Sequence, residues 1–296
     1  MAKEPTKNTY QKEGHVIAPR DVSFDWNDVP LHYIPNEPFA SQFWNIMHLL
    51  VPEGEKAMAG TVSEALAYIT DERLHEEAVG FVGQEAMHAV SHESFHSRLA
   101  EEGVNVEAII SAYNFWFRKV VTDHGLKGRA KEEWLKERLA LFAAMEHFTA
   151  VVGQWMLDNE ALEEAGTHPM VLDLLKWHCA EEVEHRNVLF DVYQHLDGSY
   201  IRRLRTGLVG SVGLAVWWLG TAHYLMKHDP APKKWWKPWP VQMIEATRKH
   251  LLPGIQFVVT DLPPYLKPNF HPSEMGPMDK AIKYLATSPA ALGAQH

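Results

Sequence analysis

A single cysteine, Cys179, stands in a chain of 296 residues, so no disulfide can form within it and no cysteine-bound metal cluster is available. Alternating apolar and polar positions, the period of a half-exposed strand, are absent over any useful length. No lysine- or arginine-lined helix face appears, and the net charge is −10. Nucleic acid is therefore excluded as a partner. No basic n-region followed by an apolar stretch opens the chain, which places the expected location in the cytoplasm. Internal repeats are also missing. What remains is ordinary globular composition, 46% hydrophobic and 22% charged, arranged at helical spacing.

Helix-like stretches cover about residues 39–70, 72–102, 106–124, 131–164 and 169–197. Gly103, Gly125 to Gly128 and Gly166 to Pro169 break them. The expected fold is all-α. Residues 1–38 form an extended N-terminal arm, loose up to about Gly14. A four-helix bundle with an inserted helix at 106–124 occupies 39–200, and 201–296 forms a C-terminal helical extension.

Two runs in these helices place a carboxylate and an imidazole three residues apart, Glu85 to His88 and Glu182 to His185. Glu55 and Glu146 add one carboxylate each. Two Glu-x-x-His helices and two lone-Glu helices are the ligand set by which a four-helix bundle holds a pair of metal ions. The same spacing recurs at Glu72…His75 and Glu93…His96, and helical phase separates the cases. At about 100° per residue, Glu85, His88, His92 and His96 fall within roughly 60° of Ala78 and Phe81 on one stripe. Glu72 and His75 lie off it, in the first turn after the N-cap candidate Asp71, and Glu93 is off it too.

On the fourth helix Leu175, His178, Glu182, His185, Leu189 and Tyr193 share a face, from which Glu181 and Glu184 turn away. On the third, Glu146 sits within the apolar stripe Leu135, Leu139, Phe142, Ala150, Gly153 and Leu157. Burying a lone carboxylate there costs several kcal/mol. A salt bridge or hydrogen-bond network is the ordinary account of any one of these residues. Four inward carboxylates and four inward histidines, with only Arg138 and Arg186 at the edges of the stripes, point instead to metal.

In the first helix Pro52 interrupts the pattern, and the ligand-bearing segment is expected to restart there. Glu55 shares a face with Met58, Ala59, Val62, Leu66 and Ile69 and is the chosen ligand; Glu53 is its partner or substitute. His92 and His178 lie one turn from a ligand, so each either adds a nitrogen donor or hydrogen-bonds to a glutamate. His96 is assigned to the core or to support of the site, and His147 to packing.

Pro52-Glu-Gly-Glu55, Gly83-Gln-Glu-Ala-Met-His88, Glu146-His-Phe-Thr-Ala150, Trp177-His-Cys-Ala-Glu-Glu-Val-Glu-His185 and Phe270-His-Pro272 resemble a bacterial family of predicted metal-dependent hydrolases, over about Arg20 to Pro272. The ligand set is similar to that of ferritin-like di-iron carboxylate proteins. The spacing of His178, Glu182 and His185 further resembles the arylamine oxygenases, which implies His178 as an added iron ligand. These likenesses imply a ferritin-like bundle.

The leading functional expectation is a non-haem di-iron oxygenase or oxidase with Glu55, Glu85, Glu146 and Glu182 at its reactive centre. Carboxylate and imidazole donors suit iron, with manganese or zinc behind it. Dioxygen, a small apolar or aromatic substrate and an electron donor are the expected partners. A two-metal hydrolase is the alternative, and a ferritin-like iron handler the second alternative.

Gly207 to Met226 is uncharged for twenty residues, long enough to span a bilayer. Its glycines also suit a helix packed tightly on the bundle, and a buried or membrane-touching helix is expected. Trp217, Trp218 and Tyr224, with the tryptophans at 235–239, mark it as the flank of an apolar substrate path. The Pro-rich end is expected to wrap the bundle as a lid or a homodimer contact.

Overall fold

Proline and short polar caps set the helix starts. In the computed structural model, which describes residues 16–231 and 237–294, Pro38 opens α1 (Pro38–Ala65), its fixed φ suiting the first helical position. Asp71 caps α2 (Glu72–Glu93) by accepting the Leu74 N–H at 2.8 Å. After α3 (His96–Glu101), Asn105 caps α4 (Val106–Phe115), which runs into a π-helical turn at Trp116–Val120. Then come α5 (Gly128–Asp158), the short α6 (Ala161–Glu164), α7 (Pro169–His185) and α8 (Val188–Leu196). Ser199 caps α9 (Tyr200–His228), and α10 (Trp239–Arg248), α11 (Asp279–Leu285) and α12 (Pro289–Gly293) complete the order. No strand occurs among the described residues. The fold is an all-α bundle. Residues 1–15, within the expected loose arm, and Trp235 and Trp236 lie outside the described residues.

The core is the packing of α1 on α2 and of α5 on α7, closed by α2 on α7 and α1 on α5. Gly153 lets α5 and α7 approach closely: a Cβ there would stand 2.6 Å from the Cys179 carbonyl oxygen. The segment from Ala18 to α1 forms neither helix nor strand and is broken by turns at 27–28 and 35–36, with Val22, Trp26, Val29 and Leu31 buried.

Several expected boundaries shift. α1 does not restart at Pro52 but runs through it. A proline in a helix interior leaves the carbonyl four residues back without its N–H, and here His96 Nε2 donates to that His48 oxygen at 2.5 Å. The single helices expected at 72–102 and 169–197 are each broken, at 94–95 and at 186–187.

α9 packs on α5 and α1, with Gly210, Leu214, Trp218, Ala222 and Leu225 buried and Gly207 set against Tyr265 and Leu266. Its other side is not covered: Val209 and Val212 are 63% and 62% exposed. Gly213 and Gly220 meet nothing within 4 Å, so those two glycines do not serve close packing. By length and composition alone, α9 is also the one helix among the described residues that could cross a membrane.

Candidate metal centre

Seven side chains from four helices converge at the middle of the bundle. Glu55 comes from α1, Glu85 and His88 from α2, Glu146 from α5, and His178, Glu182 and His185 from α7. Each could offer one donor atom to one of two groups, Glu55–His88–His178–Glu182 and Glu85–Glu146–Glu182–His185, within which the atoms lie no more than 4.8 Å apart. Glu182 belongs to both. All seven residues are buried.

His88 Nδ1 faces Glu55 Oε1 at 3.6 Å and Glu85 and Glu182 Oε1 at 3.7 Å. His178 Nε2 stands 3.0 Å from Glu182 Oε1 and 3.6 Å from Glu55 Oε1. His185 Nε2 stands 2.9 Å from Glu146 Oε1 and 3.2 Å from Glu85 Oε1. These nitrogens are close to the carboxylates yet make no aligned hydrogen bond. His88 Nδ1, His178 Nε2, His185 Nε2, Glu55 Oε2 and both oxygens of Glu85 and Glu146 are buried without a hydrogen-bond partner among the described residues.

So many orphaned polar atoms aimed at one point would be costly on their own. Cations between them remove the cost, so the residues fit a pair of metal ions.

The far side of each imidazole supports that reading, because a ligating histidine donates its other N–H outward. His88 Nε2 donates to Glu181 Oε2 at 2.9 Å, and His185 Nδ1 donates to Gln84 Oε1 at 2.9 Å. His178 Nδ1 lies 2.9 Å from His92 Nε2, and His92 Nδ1 lies 3.0 Å from His48 Nδ1. His92 therefore supports His178 and does not itself enter either donor group. Thr149 donates to the second oxygen of Glu182.

Burial, reinforced by neighbouring carboxylates, holds Glu55 and Glu85 well above the ordinary carboxyl value, and burial with Glu182 pushes Glu146 up to about 7. Burial would raise Glu182 too, but His178 and His185 outweigh it and hold it well below. Burial lowers His88 to about 3 and His178 to about 4. For His185 burial is outweighed by Glu146 and Glu182, which raise it well above the usual range. Without a cation, protons take the place of positive charge at this point.

Glu53, the substitute for Glu55, is directed elsewhere. Its Oε2 accepts from Arg118 at 3.2 Å and its Oε1 lies 3.7 Å from Lys56. His147 is a packing residue, stacked on Tyr265 and bonded to the Leu262 carbonyl. Glu181 and Glu184 correct the helical-phase expectation: both are buried, Glu181 against His88, and Gln84 Nε2 donates to Glu184 at 2.6 Å. Gln84 and Arg20 were not singled out from the sequence.

Between α1, α5 and α9 lies an apolar cavity of about 360 Å³. Phe43 and Trp44 of α1 and Phe148 and Val152 of α5 line it, opposite Leu208, Val212 and Trp218 of α9 and Phe257. No member of the two donor groups lines it. Phe148 and Thr149 are consecutive, one on the cavity wall and the other bonded to Glu182. Trp217 instead packs on Tyr113, Trp116 and Phe117, and Tyr224 on His228.

Compared with known families, residues 18–276 match the family described as predicted metal-dependent hydrolase. The chain belongs to that family. No curated protein and no solved structure gave a match. Membership in this family and the buried donor groups agree on metal dependence, and the family's description speaks for the hydrolytic alternative and not for the oxidative one.

Proposed function

We propose that this member of the family is a two-metal enzyme that oxidises a small apolar or aromatic substrate with dioxygen, using iron and an external electron donor. The observation that carries the reading is the donor set: four carboxylates and three imidazoles converge with no thiolate among them. Oxygen-rich donors with imidazole suit iron or manganese better than a zinc site of closed tetrahedral type. Two iron ions held there would supply the electron changes that dioxygen reduction demands.

The chain's own residues do the remainder. Glu182 offers oxygen to both groups while Thr149 holds its second oxygen. Glu181, Gln84 and His92 fix the three imidazole rings, and Phe81 and Trp177 pack against His185 and His88 to keep water out. The apolar cavity is the proposed substrate chamber, since small-molecule sites are mostly hydrophobic with a few polar groups nearby.

Hydrolysis is the second reading, and the family description favours it. Two ions could lower the pKa of a water between them. Against it stands the cavity lining, in which no charged side chain waits to hold a polar scissile group.

One comparison separates the two. Iron-loaded protein should consume dioxygen in a substrate-dependent way when reductant and apolar aromatic compounds are supplied. If the iron form takes up no oxygen while the zinc form cleaves esters or amides, hydrolysis replaces oxidation.

A further inference from the structure

We infer that Arg20, from the segment ahead of the bundle, is a positioning residue for the metal centre, holding the two carboxylates that orient His88 and His185. The inference rests on the reading of the seven-residue cluster as a metal site.

Arg20 Nη1 donates to Glu181 Oε1 at 2.6 Å and to Glu184 Oε2 at 2.9 Å, and Nη2 donates to Glu184 Oε1 at 2.9 Å. The fork thus clasps Glu184 with both nitrogens, the strong and directional form of an arginine–carboxylate pair. From there two chains of hydrogen bonds run inward. Glu181 Oε2 accepts from His88 Nε2 at 2.9 Å. Glu184 Oε2 accepts from Gln84 Nε2 at 2.6 Å, and Gln84 Oε1 accepts from His185 Nδ1 at 2.9 Å. Both Glu-x-x-His histidines therefore lead back to one guanidinium.

The backbone of α2 leaves room for the segment that carries it. A Cβ on Gly80 would lie 2.0 Å from the Ile17 carbonyl oxygen, and one on Gly83 would lie 3.0 Å from Pro19 Cγ. The Arg20 side chain is 25% exposed while those of Glu181 and Glu184 are 0% and 1% exposed. It reaches in from the edge, so removing it opens no large void in the core. What it contributes is geometry. An imidazole whose outer N–H has a fixed acceptor presents its other nitrogen in one direction, and loss of such outer partners weakens metal binding about 10–100-fold.

The test uses the full chain, freed of metal and titrated with cobalt(II), whose visible spectrum reports ligand geometry. In Arg20→Ala the cobalt affinity should fall about 10–100-fold with an altered spectrum, while far-ultraviolet circular dichroism keeps its helical signal. Arg20→Lys should recover only part of the affinity, because a point charge cannot reproduce the fork. Arg118→Ala, which breaks only the Glu53 pair, should bind cobalt like the parent. If Arg20→Ala does not fold, Glu184→Gln, which keeps the side-chain shape and breaks the clasp, should show the same loss. Parent affinity and spectrum in Arg20→Ala, or in Glu184→Gln where that stands in for it, overturn the inference. Failure of the parent to bind cobalt at all overturns the metal reading beneath it.

Discussion

His96 caps a carbonyl in the middle of a neighbouring helix: its Nε2 donates to the His48 oxygen that Pro52 leaves without a helical partner. The helix bearing Glu55 stays continuous across a proline because α3 supplies the missing donor. His96→Ala should therefore destabilise the protein by about 1–3 kcal/mol, the cost of leaving a buried acceptor unmade. In a Pro52→Ala background, where an N–H is restored to the helix, the same substitution should cost less. Denaturant titration of the four proteins checks this as a double-mutant cycle. Equal costs in both backgrounds would show that the two residues do not share that carbonyl.

The four carboxylates are separable by metal content. Glu182 offers an atom to both groups, whereas Glu85 offers one to a single group. Glu182→Ala should lose more metal than Glu85→Ala, and both should hold less than the parent by elemental analysis. Glu55→Ala should lose metal, while Glu53→Ala should keep the parent content because Glu53 pairs with Arg118. Full retention in Glu182→Ala and Glu85→Ala would remove the metal centre altogether.

How much of this was readable beforehand follows from what helical phase measures. Phase finds the face a helix turns to the bundle axis, and the donor atoms of Glu55, Glu85, His88, Glu146, His178, Glu182 and His185, which it assigns to those faces, lie close together in two groups. It fails for a helix enclosed on every side. Almost all of α7 is buried, so the face of Glu181 and Glu184, judged to turn away, is covered by α2 and by the segment around Arg20. The segment around Arg20 forms neither helix nor strand, so no period in its sequence signalled Arg20. The breaks at 94–95 and 186–187 lie within strongly helical composition, without glycine or proline. The hydrogen bond from His96 that lets α1 continue through Pro52 is tertiary, and no local pattern contains it.

Metal-free protein should lose stability as pH rises above about 6.5. Glu146 is raised from 4.5 to about 7, and Glu55 and Glu85 are raised further. A carboxyl with a raised folded value contributes stability in its protonated form, which is lost as pH climbs through that value. His185, also raised, acts in the same direction. His88 and His178, lowered to about 3 and about 4 from 6.5, act oppositely, but only below 6.5 where the unfolded rings take up protons. Bound cations remove the effect by keeping the carboxylates ionised, and loading near pH 7 should release protons. Melting temperatures against pH for metal-free and loaded protein check this. Parallel profiles would contradict it.

Gly153→Ala should be costly for so small a change. Its Cβ would meet the Cys179 backbone oxygen at 2.6 Å and Val183 Cγ2 at 3.3 Å, and the backbone oxygen cannot yield without moving α7. Overpacking of this kind costs about 1–3 kcal/mol. Because α5 and α7 carry Glu146 and Glu182, metal affinity should fall with stability. Gly213→Ala, where nothing lies within 4 Å, should instead gain up to about 1 kcal/mol from helix propensity. Equal melting temperatures for the two variants would refute the close approach.

The cavity beside α9 should bind apolar aromatic compounds, and filling it should block them without touching the metals. Ala215 lines it and sits on α9, away from both donor groups. Ala215→Phe places a ring in the space, so an apolar fluorescent probe should bind more weakly and, under the oxidative function proposed above, substrate-dependent oxygen uptake should fall. Metal content should stay at the parent level. Trp218→Ala acts differently: Trp218 is a buried wall residue whose Nε1 donates to the Phe43 carbonyl at 3.2 Å. Its removal should cost about 3–5 kcal/mol as well as change probe binding. Tyr224, which packs against His228 and does not line the cavity, provides the comparison. Tyr224→Ala should leave probe binding and uptake as in the parent. If Ala215→Phe binds the probe normally and keeps full uptake, the substrate reaches the centre by another route and the cavity is only a packing defect of the α1–α5–α9 seam.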